Sequence, residues 1–151
     1  MTKISKFKVN NSIVSIKKIE NKVKIKLPLY GHTSQAGFPS PAEDYIESRI
    51  DLNEHLIKHP EATFLVTVAG DSMIGAGIFD GDILIIDRAL EPIPNKIVIA
   101  VIDGELTIKR LKKKENKWYL QADNSNYDDI HFFKEEELTI WGVVTNSIHK
   151  V

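Results

Sequence analysis

Two side chains have the chemistry for acyl transfer, and each stands in a well-formed local signature. Ser72 lies in Gly70-Asp71-Ser72-Met73, and Lys109 closes the stretch Asp103-Gly104-Glu105-Leu106-Thr107-Ile108-Lys109. A serine hydroxyl is a poor nucleophile until a neighbouring base takes its proton. An uncharged lysine amine is such a base, in the Ser–Lys variant of the triad logic. It must be neutral near neutral pH, which burial in apolar surroundings favours because the ammonium loses its hydration. Upstream, a polar stretch carries the small-small dipeptide Ala36-Gly37. Nucleophile, base and a cuttable bond in one chain suggest a protein that processes itself.

The elements that must position these groups are strands. Along Leu106 to Leu111, alternate side chains face opposite sides. Lys109 therefore shares a face with Thr107 and Leu111, a mostly apolar wall, while Arg110 shares the other with Ile108. Ser72 follows a predicted strand, Phe64 to Val68, at the start of a glycine-rich turn. A serine there has a free hydroxyl, and the backbone N–H groups of Ser72 and Asp71 are available as an oxyanion hole.

Further strands are expected at Ile83 to Asp87, Ile97 to Ile102, Glu105 to Leu111, Trp118 to Ala122 and Leu138 to Val144, all rich in Ile, Val, Leu and aromatics. Asp103-Gly104 between two of them is a hairpin signal. Many short strands with tight turns predict a mainly β fold, a compact antiparallel barrel-like or folded sheet.

The first half is more varied. Residues 1–27 carry eight lysines against one acid, Glu20. Val23 to Leu27 alternates with period two, and Ile13 to Ile19 is the other arm of a weak hairpin turning at Glu20-Asn21. This arm is too short to bury a core; it packs on the main body or floats free. Residues 28–40 have linker composition, open to proteolysis. Two capping boxes, Ser40-Pro41-Ala42-Glu43 and Asp51-Leu52-Asn53-Glu54, predict two short helices. The first carries Tyr45, Ile46, Arg49 and Ile50; the second turns Leu52, Leu56 and Ile57 inward and stops before Pro60.

Composition narrows the function classes. The chain has 151 residues, 42% hydrophobic and 27% charged, with a net charge of −1. That fits one ordinary domain with a tail and argues against a stand-alone, sequence-specific DNA binder, which shows a strongly basic face. Cysteine is absent, which excludes disulfides and thiolate metal sites. Apolar runs are too short to span a bilayer, and the lysine-rich start has no apolar h-region, so a cytoplasmic protein without a membrane anchor is expected. Signal peptidases, which share Ser–Lys chemistry, are disfavoured for the same reason. His55 and His59 sit four apart on a predicted helix, but no third ligand is evident, so no metal or other cofactor is expected. Lys112-Lys113-Lys114 reads as a solvated hairpin tip.

Taken together, the motifs resemble the UmuD-type self-cleaving mutagenesis proteins of the LexA-like Ser–Lys peptidase family (S24), from about Leu27 to Val144. The resemblance rests on Ala36-Gly37-Phe38-Pro39-Ser40-Pro41-Ala42, Tyr45, Arg49-Ile50-Asp51-Leu52-Asn53, Gly70-Asp71-Ser72-Met73, Gly81-Asp82, Asp103-Gly104-Glu105 with Lys109, Asn124 to Tyr127, and Trp141-Gly142-Val143-Val144. It implies Ser72 as nucleophile, Lys109 as general base and Ala36-Gly37 as the cleavage site, so that residues 1–36 are removed and 37–151 form the peptidase domain. It further implies a homodimer, cleavage stimulated by the RecA filament on single-stranded DNA, and a cleaved form that serves a UmuC-type Y-family polymerase in error-prone translesion synthesis during the SOS response. Two departures stand out. UmuD-type proteins often have cysteine before the glycine, where this chain has Ala36. The arm before Leu27 is longer than in such proteins, yet far too short for the helix-turn-helix domain of a LexA-type repressor.

Two other readings remain open. One is a dimeric interaction module that is never cut. The other is a truncated repressor or antirepressor that forms mixed dimers, with the lysine-rich arm as its support.

Overall fold

The computed structural model describes residues 8–9, 13–19, 23–30, 46–134 and 137–151. The chain divides into two compact units, Glu20–Lys58 and the remainder, Met1–Ile19 with His59–Val151.

The larger unit is a mainly antiparallel sheet. Its strands are β1 (Lys8–Val9), β2 (Ile13–Lys18), β5 (Thr63–Val68), β6 (Ile83–Asp87), β7 (Ile97–Ile102), β8 (Glu105–Lys114), β9 (Lys117–Gln121), β10 (Ile130–His131) and β11 (Thr139–Ile148). Their spatial order is β10-β9-β8-β7-β11-β6-β5-β2, and β1 lies parallel to β8. The expected mainly β, barrel-like fold is therefore found. The predicted strands from Phe64 onward all appear, with ends shifted by a few residues where pairing extends them. β8 and β9 run on to Lys114 and Lys117, so Lys112 to Lys114 are strand residues. The tip itself is Glu115-Asn116, with φ of 52° and 61°.

Local turn chemistry sets the central hairpin. Asp103 and Gly104 have φ of 50° and 78°, the paired left-handed conformations of a type I′ turn, and join β7 to β8. The core lies on both faces of these central strands. One cluster gathers Ile13, Val66, Leu84, Ile86, Ile99, Leu106, Ile108 and Trp141; the other gathers Val98, Ala100, Leu111, Leu120 and Val143. Neighbouring residues of β7 and β8 thus point to opposite cores, so these strands read as continuous apolar runs.

The smaller unit holds β3 (Lys26–Tyr30) and β4 (Ile46–Asp51), an antiparallel pair, followed by α1 (Leu52–Leu56). Three expectations are corrected here. Ile46 to Ile50 is strand, not helix: its Ile46/Ile50 spacing also fits a helix, but backbone pairing with β3 decides. Residues 31–45, with the first capping box, lie outside the described residues. The second box is present, with the Asp51 carboxylate accepting from the Glu54 N–H at 3.1 Å and from the Ile25 N–H at 2.7 Å. Those two hydrogen bonds, the Glu54 one foremost, hold the Asp51 carboxyl below its ordinary range. Its helix is one turn long with no buried residue, and Leu52 is exposed rather than turned inward. Finally, the predicted hairpin of residues 13–27 does not form: β2 pairs with β5, and β3 with β4. Burial of Ile13 in the main core outweighs the local turn.

Candidate active site

Ser72 leaves β5 through Gly70, whose φ of 85° makes the turn, and precedes the 3₁₀ turn Ile74–Ala76. Lys109 lies in the middle of β8 and pairs with Val98 of β7. The fold brings the two together across 37 positions of sequence: Lys109 Nζ is 3.5 Å from Ser72 Oγ. Both side chains are buried, at 7% and 8% exposure. Lys109 Nζ also lies 3.0 Å from the Ile108 carbonyl and 3.3 Å from Thr107 Oγ1. Burial lowers the Lys109 pKa from its ordinary 10.5, because the ammonium is stripped of water. The amine has the surroundings the strand alternation predicted, with Thr107 and Leu111 on its own face.

The loop that carries Ser72 is braced by residues that follow β9. After β9, Asp123 accepts from the Gly75 N–H at 2.7 Å and its own N–H reaches Met73 Sδ at 3.4 Å. Asn124 Nδ2 donates to the Asp71 carbonyl at 2.9 Å, and Tyr127 Oη donates to Asp71 Oδ1 at 2.5 Å. The Asp71 carbonyl and the Ser72 N–H belong to one peptide plane. Asn124 therefore fixes the direction in which the Ser72 N–H points. The Gly70 N–H donates to Asp80 Oδ1 at 2.9 Å on the other side of the loop. Arg110, next to Lys109, grips the Asp123 carboxylate, so β8 carries both the amine and the anchor of the loop that braces Ser72. Sequence reasoning gave Arg110, Asp123, Asn124 and Tyr127 no role. Asn124 to Tyr127 figures in the family resemblance as a motif without an assigned contact.

Ala36 and Gly37 lie outside the described residues. His59 is not on α1, which ends at Leu56; its Nδ1 meets the Asp87 carboxylate at 2.6 Å. No group of three or more His, Asp or Glu arranged to hold a metal occurs among the described residues. No helix among them is long and apolar enough to cross a membrane.

The Peptidase S24-like family matches residues 28–145. Protein SamA of Salmonella typhimurium is 46% identical over 123 residues, covering 82% of this chain and 85% of its own length. Protein ImpA of Escherichia coli is 44% identical over 123 residues, with 82% and 83% covered. The LexA repressor of Shewanella denitrificans is 36% identical over 127 residues, 83% of this chain but 61% of the repressor. With the serine and lysine side by side under that match, the chain belongs to the Peptidase S24-like family of serine peptidases, as a UmuD-type member.

Proposed function

We propose that this protein is a self-cleaving serine peptidase that cuts its own Ala36–Gly37 bond. The observation that carries the proposal is the buried pair Ser72–Lys109, 3.5 Å apart, with the lysine pKa lowered by desolvation. A neutral amine has two N–H groups and one lone pair. The Ile108 carbonyl and Thr107 Oγ1 take the N–H groups, leaving the lone pair for the Ser72 proton.

In the proposed reaction Lys109 takes that proton as Ser72 Oγ attacks the Ala36 carbonyl carbon. The backbone N–H groups of Asp71 and Ser72 receive the developing oxyanion. When the C–N bond breaks, the ammonium of Lys109 returns its proton to the Gly37 nitrogen, leaving Ala36 as an ester on Ser72. Water then attacks the ester, Lys109 takes its proton, and the carboxylate of Ala36 departs as Oγ is reprotonated. Tethering the bond to the enzyme gives it a high effective concentration. The small residues Ala36 and Gly37 let the backbone approach the hydroxyl closely.

Kinship with UmuD-type proteins supports the finer reading: a homodimer whose cleavage is stimulated by the RecA filament on single-stranded DNA. The shortened product then serves a UmuC-type polymerase in SOS translesion synthesis. Intact-mass spectrometry of the wild type beside Ser72→Ala, with and without RecA filament and at raised pH, tests this. Loss of residues 1–36 from the wild type alone is expected. A wild type that stays whole under every condition leaves the uncut interaction module as the reading.

A further inference from the structure

The family match begins at residue 28, yet residues well before it are built into the body of the peptidase unit. β2 pairs with β5 from Ile13↔Val68 to Lys18↔Phe64. Ile13 is 1% exposed and belongs to the main core cluster, with Ile16 packed against it. The two isoleucines are three apart, an odd spacing that would put them on opposite faces of a regular strand. The register shift between Ile13 and Ser15 inserts one extra residue and turns both inward. Ser15 Oγ donates to Thr67 Oγ1 at 3.1 Å, and Lys18 Nζ lies 3.7 Å from Glu61.

β1 adds a second attachment at the opposite end of the sheet. β9 covers one edge of β8 only over Arg110 to Lys114, and β1 takes the vacant start of that edge at Glu105 and Leu106. In the run β8-β7-β11-β6-β5-β2 the two ends are thus drawn together by β1 and β2, which touch each other. Under this cover, β5 reads Thr-Phe-Leu-Val-Thr-Val, with no charged side chain. An uncharged strand left as an edge is a template for another strand; β2, with Lys17 and Lys18, presents a charged edge instead.

We propose that the outer edge of β5 is a strand-accepting surface whose occupant is this chain's own residues 13–18. On the cleavage reading above, cutting at Ala36–Gly37 then does not release residues 1–36. The product is a nicked, two-piece protein, and the arm leaves only when β2 is peeled from β5 and β3, which lies in the same piece, from β4.

The test separates this from self-cleavage by using the full chain with Ser72→Ala and a site-specific endoprotease sequence inserted between Ala36 and Gly37. After folding and cutting, both pieces are expected to co-elute one to one in gel filtration. Amides 13–18 should keep the hydrogen-exchange protection of the uncut chain. β3 also ties the fragment to β4, so Ile13→Asp should strip amides 13–18 of that protection whether or not the fragment leaves. The proposal is overturned if the fragment elutes alone, if amides 13–18 of the cut Ser72→Ala chain exchange at unfolded rates, or if Ile13→Asp leaves those amides protected. Should Ile13→Asp not fold, hydrogen exchange on the cut Ser72→Ala chain decides. A wild type that never cuts itself defeats the proposed function and leaves this result standing.

Discussion

Arg110 holds both carboxylate oxygens of Asp123 through Nε, each at 3.0 Å, while its Nη1 donates to the Asn95 carbonyl at 2.7 Å. The strand residue beside the lysine thus fixes the loop that braces the serine. Asp123→Ala removes the anion and leaves the guanidinium without its partner. It is expected to lower stability by about 1.5–3 kcal/mol, the range for hydrogen bonds to charged groups. Because Gly75 and Met73 lean on the same residue, self-cleavage should slow as well. Urea unfolding beside an intact-mass time course measures both; a full cleavage rate despite lost stability would separate Asp123 from the loop that carries Ser72.

Lys109 makes a pH prediction with a definite sign. Its folded pKa is lowered, so between that value and the ordinary 10.5 the unfolded chain binds one proton more than the folded chain. Unfolding free energy contributed by this group therefore rises with pH across that window. The cleavage rate should rise in the same direction and level off once the folded lysine is neutral. Lys109→Met should remove the stability rise and abolish cleavage. Lys109→Arg, which stays charged, should not restore it. Stability and rate curves that fall with pH would overturn the assignment of Lys109 as base.

Asn124 pins the peptide whose N–H is the proposed oxyanion donor. Asn124→Ala is expected to slow cleavage by about ten- to a hundredfold, somewhat less than direct loss of an oxyanion donor. The pH midpoint should stay in place, since Lys109 is untouched. A midpoint that moves with the rate would assign Asn124 to the base instead.

Tyr127→Phe tests the neighbouring contact. It removes only the hydroxyl that donates to Asp71 Oδ1, a contact that also raises the Tyr127 pKa. Tyr127 is exposed, so stability should hardly change while cleavage slows. An unaltered rate in the intact-mass time course would show that the Asn124 contact alone suffices to hold Asp71.

Gly75 has no room for a side chain. A Cβ placed there would stand 2.5 Å from the Asp123 carbonyl oxygen, a backbone atom that cannot swing aside. Gly75→Ala should cost about 1–3 kcal/mol through forced displacement and should slow cleavage by moving residues 73–75 away from their brace. Thermal unfolding and the same mass assay check it; an unchanged melting point would mean that the two loops separate freely.

Much of this molecule follows from short stretches of residues. Runs rich in Ile, Val, Leu and aromatics, punctuated by turn residues, placed the strands from Phe64 onward within a few residues. Asp103-Gly104 demanded a type I′ turn because both positions tolerate positive φ. Asp51 and Glu54 capped a helix, because a carboxylate three residues upstream reaches the free N–H groups. The serine, the lysine and the face on which the lysine lies were equally legible. Each of these is a matter of neighbours in the chain. What the residues could not reveal locally was pairing across long separations. Ile46 to Asp51 fits helix and strand alike until β3 supplies the backbone partners. Ile13 joins the core rather than a hairpin because burying an apolar side chain is worth about 1.5–3 kcal/mol, more than a weak Glu20-Asn21 turn returns. The contacts of Asn124 and Tyr127 with Asp71 span more than fifty positions, and no periodicity encodes them. Even the chemistry of Lys109 belongs to the tertiary structure: an exposed lysine with the same neighbours in sequence keeps its proton, and only the packed sheet takes the water away.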